Sequence, residues 1–313
     1  MIGRRLLRIK VLQVLYANTK NEGNSINNSD KELMFSLEKS NDLFYNILLL
    51  LTDIKDHAEH RIELGKNKRF PSEQEINPNT KFINNPVLKK LEENLQFKSY
   101  VSSHNLNWND LQETPRIYFD KLVETDFYKE YMSTEGQTYQ DHKKFILDIV
   151  TQLLINNDDF YSTLEEQSIY WNDDFDFVFS MVIKTIKKIK EDEDEYTGIR
   201  KLFGSEDEIE FAKTLLRKTI LKQVELRDIV KENIVNWDVD RIASIDILIM
   251  TLALCEIMEF SSIPVKVTFD EYIDLAKFYS TRKSSEFING VLDKIVKKLK
   301  EEEKFVKAGR GLM

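Results

Sequence analysis

Apolar positions recur every three to four residues along most of this chain, the period of helices that bury one face. The first such stretch predicts a helix from about Arg4 to Ala17. From Val11 onward it is apolar nearly all round, so other helices should enclose it. Its opening turns carry Arg4, Arg5, Arg8 and Lys10 ahead of that enclosed part, and the arginines are expected on the surface. After a polar loop, "NTKNEGNSINNSD", a long helix is predicted over 30–63, with Leu33, Leu37, Phe44, Ile47, Leu48 and Leu51 toward a core. Residues 65–86 are polar and hold Pro71, Pro78 and Pro86, which predicts an extended excursion. Helical segments follow at 87–103, 116–132, 140–157 and 174–191, and "KEDEDEY" closes that run as a solvated acidic stretch.

Beyond residue 207 the signals sharpen. "EFAKTLLRKTIL" and "ELRDIVKENIV" are amphipathic, and Asp238 is placed to cap a helix after Trp237. "ASIDILIMTLALCEIMEF" is almost wholly apolar and should form a central helix that Pro264 ends. "TFDE" has capping-box spacing, which predicts a helix start at Thr268 with Glu271 bonding back. That helix shows Phe269, Tyr272, Ile273 and Ala276 at core spacing.

The last helix, "KSSEFINGVLDKIVKKLK", contains Asn289 and Gly290, normally a turn signal. Its apolar positions run straight through them. Phe287, Ile288, Val291, Leu292, Ile295, Val296 and Leu299 fill about half the circumference at 100° per residue. Gly290 falls on the other half, in a strip with Lys283, Lys294 and Lys297. Either a neighbouring element packs close over the bare backbone or a partner lies on the strip.

Glycine (9) and proline (5) are scarce among 313 residues and 42% are hydrophobic, which fits long helices. The net charge of −9 means any polyanion site must be a local patch. Cys255 is the only cysteine, so there is no internal disulfide, and its apolar run predicts a buried, inert thiol. The N-terminal apolar stretch is broken by Lys10 and Gln13, and "NILLLL" is too short to cross a bilayer, so a cytoplasmic protein is expected. No phosphate loop, dinucleotide turn or catalytic constellation stands out, so an enzyme is the weaker class and no cofactor or metal is expected. A shift of 66 residues lays Phe145 on Phe211, Ile149 on Leu215, Trp171 on Trp237 and Asp174 on Asp240, which is either chance or a duplicated helical unit.

"NWDVDRIASIDILIMTLALCEI" and "IPVKVTFDEYIDLAKFYSTRKSSEFINGVLDKI" together resemble the NusB family of transcription antitermination factors. The shared pattern is a tryptophan-acid start, a "LALYEL"-like helix, a "VPxKVAINEAxELAK"-like segment and "FVNGVLD" near the end. "RRLLRIKVLQVLYA" resembles the family's first helix, arginines preceding an "ALQALY"-like run. The departure is the long middle of the chain, where family members are usually compact.

The resemblance implies an all-α fold of two helical bundles, here with a further, mostly helical insertion. It divides the chain into 1–64, an insertion at 65–204 and a C-terminal family-like domain at 205–313. It implies binding of boxA-type single-stranded RNA together with NusE, a ribosomal protein, within the RNA polymerase antitermination complex. Carried over residue by residue, the RNA side maps to Arg4, Arg5, Arg8, Lys283, Phe287 and Asn289, and the NusE side to Tyr16, Asp240 and Asp246. Arginine and lysine neutralise phosphates, an aromatic ring stacks on an unpaired base, and an amide reads a base edge. Phe287 also lies on the apolar stripe, so a core role is open. A helical protein-interaction scaffold without RNA binding is the other reading.

Overall fold

The computed structural model describes residues 2–20, 25–108, 113–192, 194–195, 199, 201–203, 205–234 and 242–307, and among them every regular element is a helix. In chain order these are α1 (Ile2–Lys20), α2 (Ile26–Lys66), α3 (Glu73–Ile76), α4 (Pro86–Glu93), α5 (Leu95–Ser103), α6 (Glu113–Glu124), α7 (Asp126–Ser133) and α8 (Tyr139–Asp148). A π-helical turn, Ile149–Leu154, follows. Then come α9 (Asp158–Gln167), α10 (Phe175–Lys188), α11 (Glu206–Leu221), α12 (Gln223–Asn233), α13 (Ser244–Glu259), α14 (Val265–Tyr279) and α15 (Arg282–Glu301). The all-α expectation holds.

The chain forms two compact units, Met1–Leu37 with Phe203–Met313, and Glu38–Leu202. The division falls inside α2, between Leu37 and Glu38, whereas the sequence placed the start of the insertion after residue 64. A single amphipathic helix carries no local mark where its neighbours change, so the boundary was not legible there.

In the first unit α13 is the central element, packed by α1, α11, α12, α14 and α15. Every residue from Asp246 to Ile257 is buried. Leu7, Val11 and Leu15 of α1, Leu215 and Leu216 of α11, and Leu292 and Ile295 of α15 complete this core at 0% exposure. Each such side chain contributes about 1.5–3 kcal/mol by leaving water. Burial on α1 begins at Leu6, not at Val11.

In the second unit the predicted segment at 87–103 breaks at Asn94, whose side chain accepts from the Phe97 N–H and starts α5. The segment at 116–132 breaks at Thr125, which caps α7. An aromatic cluster holds the unit together. Tyr131 and Phe145 stack at 3.8 Å, and Phe82 meets Phe145 edge-on at 5.9 Å. The buried Trp171 and Trp108 indoles donate to the carbonyls of Lys39 and Asn46, at 2.7 and 3.2 Å. Phe145 and Ile149 are buried here, as Phe211 and Leu215 are in the first unit. Trp237 and Asp240, the other half of the 66-residue echo, and the expected cap Asp238 lie outside the described residues.

The capping-box reading of "TFDE" is corrected. Helix α14 starts at Val265, behind Pro264 and three residues before the expected cap, so Thr268 is a buried interior residue. Capping boxes do occur at Ser72 with Glu75 and at Thr138 with Asp141.

Candidate nucleic-acid interface

All the mapped site residues that the structure describes belong to the first unit. Helix α1 supplies three arginines, and the structure gives them three different settings. Arg4 is half-buried, with its guanidinium 5.2 Å above the ring of Phe211. Arg5 is exposed and reaches across to α14, donating from Nε to Glu271 at 3.1 Å and from Nη2 to Asp274.

Arg8 is not on the surface. Its side chain is 2% exposed, and it donates from Nε and Nη2 to the two carboxylate oxygens of Glu256, at 2.7 and 2.8 Å. Glu256, at 0% exposure, also accepts from Thr268 Oγ1 at 2.8 Å and Tyr272 Oη at 3.1 Å. Burial works to strip the Arg8 proton, but the hydrogen bonds and charge of Glu256 outweigh it and hold the guanidinium pKa above its ordinary value. Burial first, and then the Glu256 charge, pushes the Tyr272 phenol well above its usual range, so it stays a donor. Thus Thr268 and Tyr272 satisfy a buried carboxylate, which is why Thr268 is not a cap. Arg8 anchors α1 to α13 and has no path to a phosphate in this arrangement.

Lys283 and Asn289 are exposed on α15, and Phe287 is half-buried. Thr281 caps this helix by accepting from the Ser284 N–H at 3.1 Å. A Cβ built at Gly290 meets nothing within 4 Å, so among the described residues no neighbouring element packs over it. The strip around it is mixed rather than basic. Glu286 and Asp293 share it, Asp293 pairs with Lys297 at 2.7 Å, and Lys294 Nζ donates to the Asn233 carbonyl at 3.2 Å.

Helix α14 joins the two groups. Asp274 receives Arg5 and also Lys277 Nζ at 2.9 Å, and Phe278 lies one residue further on. Lys283 follows after the turn into α15. Lys277 and Phe278 are both exposed and were not among the mapped residues. The signal was present, since Phe278 sits about 120° around the helix from Tyr272 and so falls off the buried stripe.

On the expected partner face, Tyr16 is 40% exposed with Lys20 Nζ 5.3 Å above its ring. Asp246 is 4% exposed, in the first turn of α13, and its Oδ1 has no hydrogen-bond partner among the described residues. An acid that meets a partner should reach the surface, and Asp246 does not. Burial along α13 begins at Asp246, behind the exposed Ser244 and the half-buried Ile245. Asp240 lies outside the described residues.

Cys255 is buried, and burial pushes its thiol up to about 12, well out of reactive range. Among the described residues no helix is long and apolar enough to cross a membrane, and no group of three or more His, Cys, Asp or Glu could hold a metal ion.

The family model for the NusB family matches residues 175–297. That match begins at α10, within the stretch read from the sequence as atypical of the family. The chain is 33% identical over 147 residues to "Transcription antitermination protein NusB" of Salinibacter ruber, covering 47% of this chain and 85% of that protein. It is 42% identical over 78 residues to the protein of the same name from Chloroherpeton thalassium, covering 25% of this chain and 37% of the relative. A third, from Pseudothermotoga lettingae, is 45% identical over 69 residues, covering 22% and 49%. The last two matches span less than half of those relatives. With most of one relative's length matched, and a first unit built around the central α13 that the motifs foretold, the chain belongs to the NusB family.

Proposed function

We propose that this chain is a transcription antitermination protein that binds boxA-type single-stranded RNA together with NusE. The observation that carries this reading is the match over 85% of the length of a relative bearing that name. The surface that fits RNA is the one spanning Arg4 and Arg5 of α1, the end of α14, and Lys283, Phe287 and Asn289 of α15. Arg8 supports it from beneath as the anchor of α1. NusE would meet the face of Tyr16, to which the family resemblance also assigns Asp240. The chemistry is binding alone: cations on phosphates, rings on bases, an amide on a base edge.

One observation favours the scaffold reading instead. Arg5 already faces Glu271 and Asp274, and Arg8 is consumed by Glu256, so the patch is less basic than its sequence. Fluorescence anisotropy with a labelled boxA-type RNA, titrated with salt and with or without NusE, separates the two. RNA binding predicts an affinity that falls linearly with the logarithm of salt and a shallower slope in Arg5→Glu with Lys283→Glu. Absence of binding under both conditions, with the protein folded, would sink the RNA reading and leave the scaffold.

A further inference from the structure

The end of α14 carries an exposed aromatic side chain whose position the mapped family residues do not include. Phe278 is 66% exposed, while the helix that bears it buries Tyr272, Leu275 and Ala276. A large apolar ring held in water at the last turn of a well-packed helix has no part in the core. Cations lie nearby: Lys277 precedes it, Arg5 and Lys277 pair with the acid Asp274 one turn back, and Lys283 follows the turn into α15. Nor is the ring loosely attached. Tyr279 meets it edge-on, with centroids 5.1 Å apart and planes at 71°. The Tyr279 hydroxyl in turn accepts from Gln13 Nε2 of α1 at 3.4 Å. Phe278 is therefore a ring buttressed on one edge and open over much of its surface, beside Lys277 and one turn from the Arg5–Asp274 pair.

We propose that Phe278 is the base-stacking platform of this RNA site, a specificity-tolerant contact in which an unpaired nucleobase lies on the ring while Arg5, Lys277 and Lys283 meet the flanking phosphates. The inference rests on the RNA-binding reading above. Its physical basis is that every base has a π-face, that stacking needs an accessible aromatic face, and that single-stranded sites pair such faces with cations along the backbone. A ring fixed by Tyr279 before binding loses little freedom when a base arrives. Phe287, half-buried on α15, offers less open surface for the same task.

The test is anisotropy with a fluorescein-labelled single-stranded RNA carrying a boxA-type element, using the full chain. Phe278→Ala is expected to weaken binding roughly tenfold, within the about 1–3 kcal/mol range of one base on one ring. The slope against salt should stay at the wild-type value, because no charge is lost. Phe278→Trp should restore affinity, and its indole fluorescence should be quenched when RNA is added. Thermal melting should be unchanged in both variants. If wild-type protein binds the RNA and Phe278→Ala binds it equally well, the stacking role is overturned while RNA binding stands. If the wild type binds no RNA, both fall together.

Discussion

Arg8 and Glu256 form a buried, two-pronged ion pair between α1 and α13, with side chains 2% and 0% exposed and hydrogen bonds of 2.7 and 2.8 Å. Thr268 and Tyr272 supply further donors to the same carboxylate, so three helices meet at one charge. Removing the guanidinium leaves that charge without its counter-ion. Arg8→Met should therefore cost about 3–5 kcal/mol of stability, read as a lower urea midpoint at unchanged slope. Arg5→Gln, on the same helix but exposed, loses only a surface ion pair and should cost no more than about 1 kcal/mol. Equal stability of the two variants would mean that Arg8 is not the anchor.

Gly290 interrupts α15 on its exposed side, and a Cβ there meets nothing within 4 Å. Gly290→Ala adds helix propensity without a clash. The variant should be as stable as wild type or more so, by up to about 1 kcal/mol. Differential scanning calorimetry decides it. A marked fall in melting temperature would show that something packs on that backbone.

Asp246 is buried in the first turn of α13, with one oxygen unbonded among the described residues. A lysine there must bury an ammonium at the positive end of a helix dipole. Asp246→Lys should lose more than about 1–3 kcal/mol, since the group left unsatisfied is charged. Its effect on NusE binding would then follow from unfolding. Asp246→Asn keeps the shape and is the variant for partner kinetics. A melting curve of Asp246→Lys that matches wild type would return this residue to the surface.

Burial, with the nearby Asp56 charge adding to it, raises the Asp53 carboxyl to about 7. Its pKa is thus higher folded than unfolded. Between about pH 4 and pH 7 the folded state holds a proton that the unfolded state has released, so this group's contribution to stability falls as pH rises through that window. Asp53→Asn should raise the melting temperature at pH 8 and change it little at pH 4. A gain of equal size at both pH values would show that the effect is not titration.

The periodicity of apolar residues was enough to read an all-helical chain, to make α13 central and to turn Gly290 outward, though not to find α9 or the breaks at Asn94 and Thr125. These are local properties: period, run length and position around a single helix follow from consecutive residues. The off-stripe position of Phe278 was legible on the same ground, although it went unread. Local pattern also located the family motifs.

Position in space was another matter. Arg8 looked like its exposed neighbour Arg5 because the residue that buries it, Glu256, lies 248 positions away in the chain. "TFDE" looked like a cap because nothing local shows that the threonine hydroxyl is needed by a carboxylate on another helix. Asp246 looked exposed because burial at a helix start depends on what packs around it. The order of residues by itself determined the helices, the family and which faces are apolar. Only the tertiary structure decided which charges reach water, because burial and ion pairing are set by side chains that folding brings together from distant parts of the chain.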